Sequence, residues 1–210
     1  MALVPPHARR VVDVGCGEGH LARALMRERP GTEVFGIEPS VEAAARARGA
    51  QPAPTDLVVG RAEDGLPAHW PAPDCIVFAD VLEHLVDPWG VLAAYVARLA
   101  PGGSIVASIP NVGHYSVLVG ALRGRWDYAP AGLLDRTHLR FFTVATALEL
   151  LRGAGLEPEL VRRTVRHGGG SALHGLTRRV LPWLERGGAL GRSLHDLVTY
   201  QLLVRARARG

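Results

Sequence analysis

Three glycines at alternating positions, Gly15, Gly17 and Gly19, lie in the run Asp13-Val14-Gly15-Cys16-Gly17-Glu18-Gly19, directly after the β-branched stretch Arg10 to Val14. Glycines at this spacing let a chain leave a strand, turn sharply and admit a ligand against bare backbone, where a bulky side chain would block the approach. The dinucleotide version of such a turn needs a glycine where this chain has His20, which argues against a nicotinamide cofactor with its pyrophosphate on the helix start. The next strand ends in Glu38, whose carboxylate can accept hydrogen bonds from both hydroxyls of a ribose, and Pro39 can cover an adenine face. Ala62 and Glu63, after the third strand, can offer backbone groups to the adenine edge, while Ala79 and Asp80 follow the fourth strand at the sheet's carboxyl end. Alone, the glycine turn is an ordinary tight turn and the acidic strand end a solvated group. In this order, they outline a nucleoside site.

A second set of residues carries proton or metal chemistry. Asp80, Glu83 and His84 form a D-x-x-E-H group, and helical spacing would bring Asp80 and Glu83, or Asp80 and His84, to one face. Two carboxylates and an imidazole can bind a divalent cation. The preferred reading has no metal: Asp80 helps position the cofactor, Glu83 caps or pairs nearby, and His84 is a partly buried helix residue with a satisfied ring. His138, after Asp135, Arg136 and Thr137, suits a general base because an imidazole titrates near neutrality; a strut in a turn is the alternative. His114 and Tyr115 follow the fifth strand, so several polar groups converge on a second-substrate pocket. Trp126 and Tyr128 form either its apolar wall or a small core of their own.

The elements that must hold these residues alternate strand and helix. Arg10 to Val14, Val34 to Ile37, Asp56 to Val59, Asp74 to Phe78 and Ser104 to Ile109 read as strands, with helical periodicity after Gly19 and over Val41 to Arg48 and Val86 to Leu99. The pattern loosens after Pro110, then gives a helix over Val144 to Leu151, a strand over Leu156 to Val165 and a final strand over Leu197 to Val204. This βαβ repetition predicts an α/β fold with a mostly parallel sheet covered on both faces, and a hairpin-like last strand beside the sixth makes that edge antiparallel.

At 210 residues and 48% hydrophobic content, the chain suits a single domain spanning residues 1–210, with lid-like insertions over about 111–140 and 166–195. The second insertion holds an amphipathic helix from about Leu173 to Leu184 with Arg178 and Arg179. Its default is packing within the protein, with a second subunit of a homodimer or a membrane surface as alternatives. No apolar run reaches the roughly 18 residues of a membrane span and the start does not read as a signal peptide, so a cytoplasmic protein is expected. Cys16 and Cys75 read as reduced, packed thiols. The net charge of +4 comes from arginine alone, since lysine is absent, and its densest run, Arg205, Arg207 and Arg209, falls on one side of an extended strand. The other arginines are scattered, so nucleic acid is not the expected partner.

The segments DVGCGEG, GIEP, GRAED and DCIVFADVLEHLVDP resemble the successive motifs of class I S-adenosylmethionine-dependent methyltransferases over roughly residues 10 to 165, and PNVGHYSVLVGALRGRWDY with LLDRTHLRFFT is similar to the MetW-like, methyltransferase-23-like group. The resemblance implies a Rossmann-like seven-stranded fold, S-adenosylmethionine as cofactor and S-adenosylhomocysteine as product. It further implies that Asp13 and Gly15, Cys16, Gly17 and Gly19 hold the methionine part, Glu38 the ribose, and Ala62 with Glu63 the adenine. Arg61 departs from the pattern, because relatives often carry an acidic residue there. The acceptor implied is a small molecule, glycan or secondary metabolite, with O-methylation the first choice. A non-catalytic cofactor-binding partner protein and an RNA methyltransferase are the competing readings. The D-x-x-E-H group also resembles the metal-binding E-x-x-E-H of ubiquinone-biosynthesis O-methyltransferases and small-RNA 2′-O-methyltransferases; His138 would take the place of the downstream histidine that the latter add. The catalytic candidates are therefore His138 and His84.

Overall fold

The computed structural model describes residues 3–165 and 188–209. Seven strands form one sheet: β1 (Arg10–Val14), β2 (Glu33–Glu38), β3 (Asp56–Val59), β4 (Cys75–Ala79), β5 (Ser104–Pro110), β6 (Leu156–Thr164) and β7 (Gln201–Ala208). The helices are α1 (His20–Glu28), α2 (Val41–Arg48), α3 (Pro88–Val96), α4 (Tyr115–Leu122), α5 (Val144–Gly153) and α6 (Gly188–Val198), with 3₁₀ turns at Ala62–Asp64 and Leu82–His84. The strand order is β3-β2-β1-β4-β5-β7-β6. The first five strands pair in parallel, and β7 runs antiparallel between β5 and β6, as a late hairpin-like strand requires.

Alternation explains why the central strands are apolar on both faces. In β5, Ile105, Ala107 and Ile109 join the larger core with Phe78, Leu92 and Tyr95, while Val106 joins the opposite core with Val11, Leu25 and Cys75. Strands covered on both sides have no solvent face to mark with polar residues. Asp13 is the exception in β1: it shares the Val11 face by period and is 4% exposed. A third cluster of Cys16, Ala44, Ala47 and Leu57 seats α2 against the glycine loop, and a Cβ on Gly19 would come within 3.2 Å of the Ala47 Cβ. Small residues on α2 therefore set how closely that helix approaches the loop.

Several boundaries differ from the sequence reading. The last strand begins at Gln201, because Leu197 and Val198 still belong to α6; Asn111 Nδ2 donates to the carbonyls of Asp196 (2.8 Å) and Thr199 (2.7 Å), tying down that helix end. An apolar pair beside a strand satisfies both the helical and the extended pattern, so periodicity alone misassigned it. The third helix starts at Pro88 rather than Val86, since Asp87 caps it by accepting from the Gly90 N–H and proline is suited to the first turn. The helix read over Leu173 to Leu184 lies outside the described residues, and residues 188–195 of the insertion read over about 166–195 form most of α6. The terminal arginines are matched by acids on the neighbouring strand, Arg205 and Arg207 facing Glu159 and Arg209 facing Glu157. Cys16 and Cys75 are buried free thiols. Among the described residues, no helix is long and apolar enough to cross a membrane.

Tyr95 links the core to the third-strand turn, donating its hydroxyl to the Ala62 carbonyl at 3.0 Å. Tyr95→Phe leaves that carbonyl without its partner and is expected to cost about 1–2 kcal/mol. Thermal unfolding checks this, with an expected drop of about 2–4 °C per kcal/mol for a chain of this size.

Candidate active site

The parallel register places the end of β1 beside the end of β2, Val14 opposite Ile37, and the glycine loop folds over the next residue. Gly15 and Cys16 donate their N–H groups to the Ile37 carbonyl at 2.8 and 3.0 Å. Glu38 holds the loop from the side: Oε2 accepts from the Gly17 N–H at 2.8 Å and Oε1 from the Ser40 N–H at 2.9 Å. A carboxylate has roughly four lone-pair directions, so each oxygen keeps acceptor capacity for a ligand. Gly15, Gly17 and Gly19 all have φ between 53° and 74°. A Cβ on Gly15 would lie 2.8 Å from Val81 Cγ2, whereas one on Gly17 would meet nothing within 4 Å. The loop at Gly17 therefore borders open space that only its lack of a side chain preserves.

Two cavities meet at Gly15. The larger, about 690 Å³, is bordered by Glu38, Pro39, Ala62, Glu63, Asp80 and His84 among others. The smaller, about 340 Å³, is bordered by Asp13, Cys16, Ala79 and Ser108, and by Leu3 and Val4. Leu3 and Val4 thus contribute a wall, and the Arg29 guanidinium anchors this segment through the carbonyls of Val4 and Pro5. Burial, with the Glu38 charge adding to it, raises the Asp13 carboxyl from 3.8 to about 7. Burial foremost also pushes the Cys16 thiol up to about 12, so it is a packing group rather than a nucleophile at neutral pH.

The D-x-x-E-H group does not form one helical face. Asp80 has φ 55°, the one positive value outside glycine among the described residues, and the following 3₁₀ turn separates it from its neighbours. Its Oδ1 accepts from Ser108 Oγ at 3.1 Å and from Gln201 Nε2. Glu83 neither caps nor pairs: it is 1% exposed, both carboxylate oxygens lack a hydrogen-bond partner, and burial raises its pKa from 4.5 to about 8. Its backbone carbonyl instead receives the N–H groups of Leu139 (2.9 Å) and Arg140 (3.0 Å), which brings His138 alongside. The His84 and His138 rings lie 4.8 Å apart, edge to face, and one ligand atom each from Glu83, His84 and His138 fall within 4.8 Å of one another.

Hydrogen bonding identifies the tautomers. His138 Nδ1 is 3.3 Å from the Leu133 carbonyl, and a carbonyl only accepts, so Nδ1 carries the proton and Nε2 keeps a lone pair. His84 Nδ1 faces the Thr137 carbonyl and hydroxyl, both at 3.2 Å; that hydroxyl lies 2.7 Å from Asp135 Oδ1, its acceptor. His84 Nδ1 is therefore also the donor. Burial, followed by the nearby His84, lowers the His138 pKa and favours its neutral form.

Trp126 and Tyr128 sit around Phe141, with ring centroids 5.5 and 6.5 Å away, and are 41% and 53% exposed. They form a surface cluster rather than the wall of either cavity. Ser108 and Gln201 are the residues that sequence reasoning missed; no local motif marks them, because only the insertion of β7 beside β5 brings them to Asp80.

A family model described as a methyltransferase domain matches residues 1–161. The chain is 39% identical over 106 residues to trans-aconitate 2-methyltransferase of Mycobacterium tuberculosis, a match covering 50% of this chain and 38% of that enzyme. It is 32% identical over 160 residues to ubiquinone biosynthesis O-methyltransferase of Thiobacillus denitrificans, covering 74% of this chain and 67% of the relative. In three dimensions it resembles the plantazolicin methyltransferase BamL, solved with a triazolic desmethylPZN analog and SAH, with TM-score 0.64, 16% identity and coverage of 97% and 78%.

Asp13 makes stability depend on pH. Its folded pKa lies above its unfolded value, so between the two the native state holds more protons and loses stability as pH rises. Asp13→Asn removes this loss. Thermal melts without ligand should show the variant gaining on the wild type by a few degrees between about pH 5 and about pH 8.

Proposed function

Because this chain belongs to the class I S-adenosylmethionine-dependent methyltransferases, as a methyltransferase-23 domain, we propose that it methylates a hydroxyl oxygen of a small-molecule acceptor. The observation that carries the cofactor part is the Gly17 N–H bound to Glu38 beside a 690 Å³ cavity with Pro39, Ala62 and Glu63 on its border. When bound, S-adenosylmethionine supplies a sulfonium methyl carrying its own good leaving group. Glu38 receives the ribose hydroxyls on its remaining lone pairs. Pro39 covers the adenine, and the backbone of Ala62 and Glu63 meets its edge. The glycine loop, Asp13 and Ala79 border the methionine end; a cationic group there relieves the repulsion between Asp13 and Glu38. Asp80 closes the space between this end and the acceptor.

Transfer to a hydroxyl then needs alignment and removal of one proton. His138 suits the base: its ring is neutral, with Nδ1 held by Leu133 and Nε2 unprotonated. Segment 111–140 forms the acceptor side. The O-methyltransferase named among the relatives supports an oxygen acceptor, and the trans-aconitate enzyme supports a small one. The matched region spans only 38% of the trans-aconitate enzyme, so the acceptor itself belongs to this proposal.

A divalent cation is a second reading, favoured by the two unpartnered oxygens of buried Glu83 beside two lone-pair-bearing imidazoles. Glu83, His84 and His138 would hold the ion, without Asp80, and it would lower the pKa of the acceptor hydroxyl.

Transfer of labelled methyl to a panel of hydroxylated small molecules tests the function. Gly17→Arg fills the open space and is expected to abolish cofactor binding; its Cβ meets no neighbour, and the left-handed backbone there costs about 1–2 kcal/mol, so circular dichroism should still report a folded protein. His138→Ala should keep cofactor affinity and lose about 10²–10⁴-fold in kcat. Unchanged turnover in His138→Ala overturns the base. In the wild type, loss of activity with chelator and recovery on adding metal favours the cation, and insensitivity to chelator removes it.

A further inference from the structure

The Asp80 carboxylate is held in a way that the cofactor site does not require. Its backbone N–H donates to the Ser108 carbonyl at 3.2 Å, and its Oδ1 takes both the Ser108 hydroxyl and the Gln201 amide. Gln201 Nε2 also lies 2.6 Å from Ser108 Oγ. The donors balance: one amide hydrogen goes to Asp80 and the other to Ser108, whose own hydroxyl hydrogen goes to Asp80. Two strands, β5 and β7, thus tie down one oxygen of the residue that follows β4. Among the described residues, no hydrogen bond reaches Oδ2, and the exposed Asp80 borders the large cavity.

Asp80 adopts a left-handed backbone conformation that aspartate tolerates at a cost and that surrounding contacts must maintain. Gln201 is itself fixed, because the preceding Tyr200 N–H donates to the Thr164 carbonyl at 2.7 Å and Asn111 holds the Thr199 carbonyl. The clamp is also neutral. An arginine in place of Gln201 would cancel the carboxylate's charge, whereas an amide and a hydroxyl orient it and leave it negative. The other acids on the cavity border are Glu38, bound to backbone N–H groups, and Glu63, 3.6 Å from Arg61. That arginine is thus engaged on the adenine side.

We propose that Ser108 and Gln201 are positioning residues that present Asp80 Oδ2 to the acceptor, so that the enzyme selects uncharged hydroxylated molecules over carboxylic acids. The inference rests on the hydroxyl-acceptor reading above and narrows it. A hydroxyl donates a hydrogen bond to Oδ2, while an ionised acid brings a second negative charge and no proton to share.

The test compares matched acceptors, phenol with benzoic acid and catechol with phthalic acid, using purified protein and labelled S-adenosylmethionine. The wild type is expected to methylate the phenols in preference. Asp80→Asn and Gln201→Leu should each raise the phenol KM about tenfold with a smaller change in kcat. Gln201→Asn, which keeps an amide, should fall between Gln201→Leu and the wild type. Calorimetry with S-adenosylhomocysteine should give a similar affinity for the wild type and both Gln201 variants, which separates an acceptor role from a general disturbance of the site. Phenol methylation with unchanged KM in Gln201→Leu overturns the clamp and leaves the hydroxyl reading intact. Preference for the acids overturns both. Absence of transfer to either class, with cofactor binding preserved, counts against hydroxyl methylation of simple phenols and against this selection with it.

Discussion

The site is organised by one carboxylate. Glu38 ends β2, and the parallel register puts it beside the loop leaving β1, where it accepts from the Gly17 N–H with one oxygen and from the N–H of Ser40, the N-cap of α2, with the other. Two backbone donors make burial of a charged group tolerable and hold the loop open. The arrangement needs the left-handed glycines, because an ordinary residue at Gly15 would strike Val81, and it needs the small residues of α2, which let the helix lie close to Gly19. Fold and binding surface are therefore set by the same contacts.

The second feature is acidity withheld from solvent. Asp13 and Glu83 are both buried, both raised in pKa, and neither is relieved by an opposite charge within the described residues. A structure selected for stability alone has little reason to keep such groups, so each points to something bound beside it. Asp13 borders the cavity assigned to the methionine end, and Glu83 lies with two imidazoles whose free nitrogens face the same cluster. The first suits a cation supplied by the cofactor. The second suits proton transfer or a metal ion on the acceptor side.

Much of this was legible in the sequence. The first five strands, α2 and the helix from Val144 followed their periodicities because buried parallel strands and helices in a βαβ series impose strong patterns, and the last strand lies antiparallel beside the sixth as expected, although it starts later. The glycine loop and Glu38 were legible because their types have few other uses in that order. Leu197 and Val198 misled because an apolar pair fits helix and strand equally. Asp80, Glu83 and His84 misled because their spacing was read as helical, whereas the left-handed Asp80 and the 3₁₀ turn send Asp80 to β5 and β7 and Glu83 into the interior. Gln201 carried no local signal at all, since its partner is 121 residues away in the chain.

The measurement that bears most directly on this account is calorimetric titration of the purified protein with S-adenosylmethionine and S-adenosylhomocysteine at pH values on either side of the Asp13 pKa. The account predicts saturable one-to-one binding of both, tighter on the alkaline side because the ionised Asp13 attracts the cationic methionine end. A folded sample that binds neither compound at either pH would contradict it.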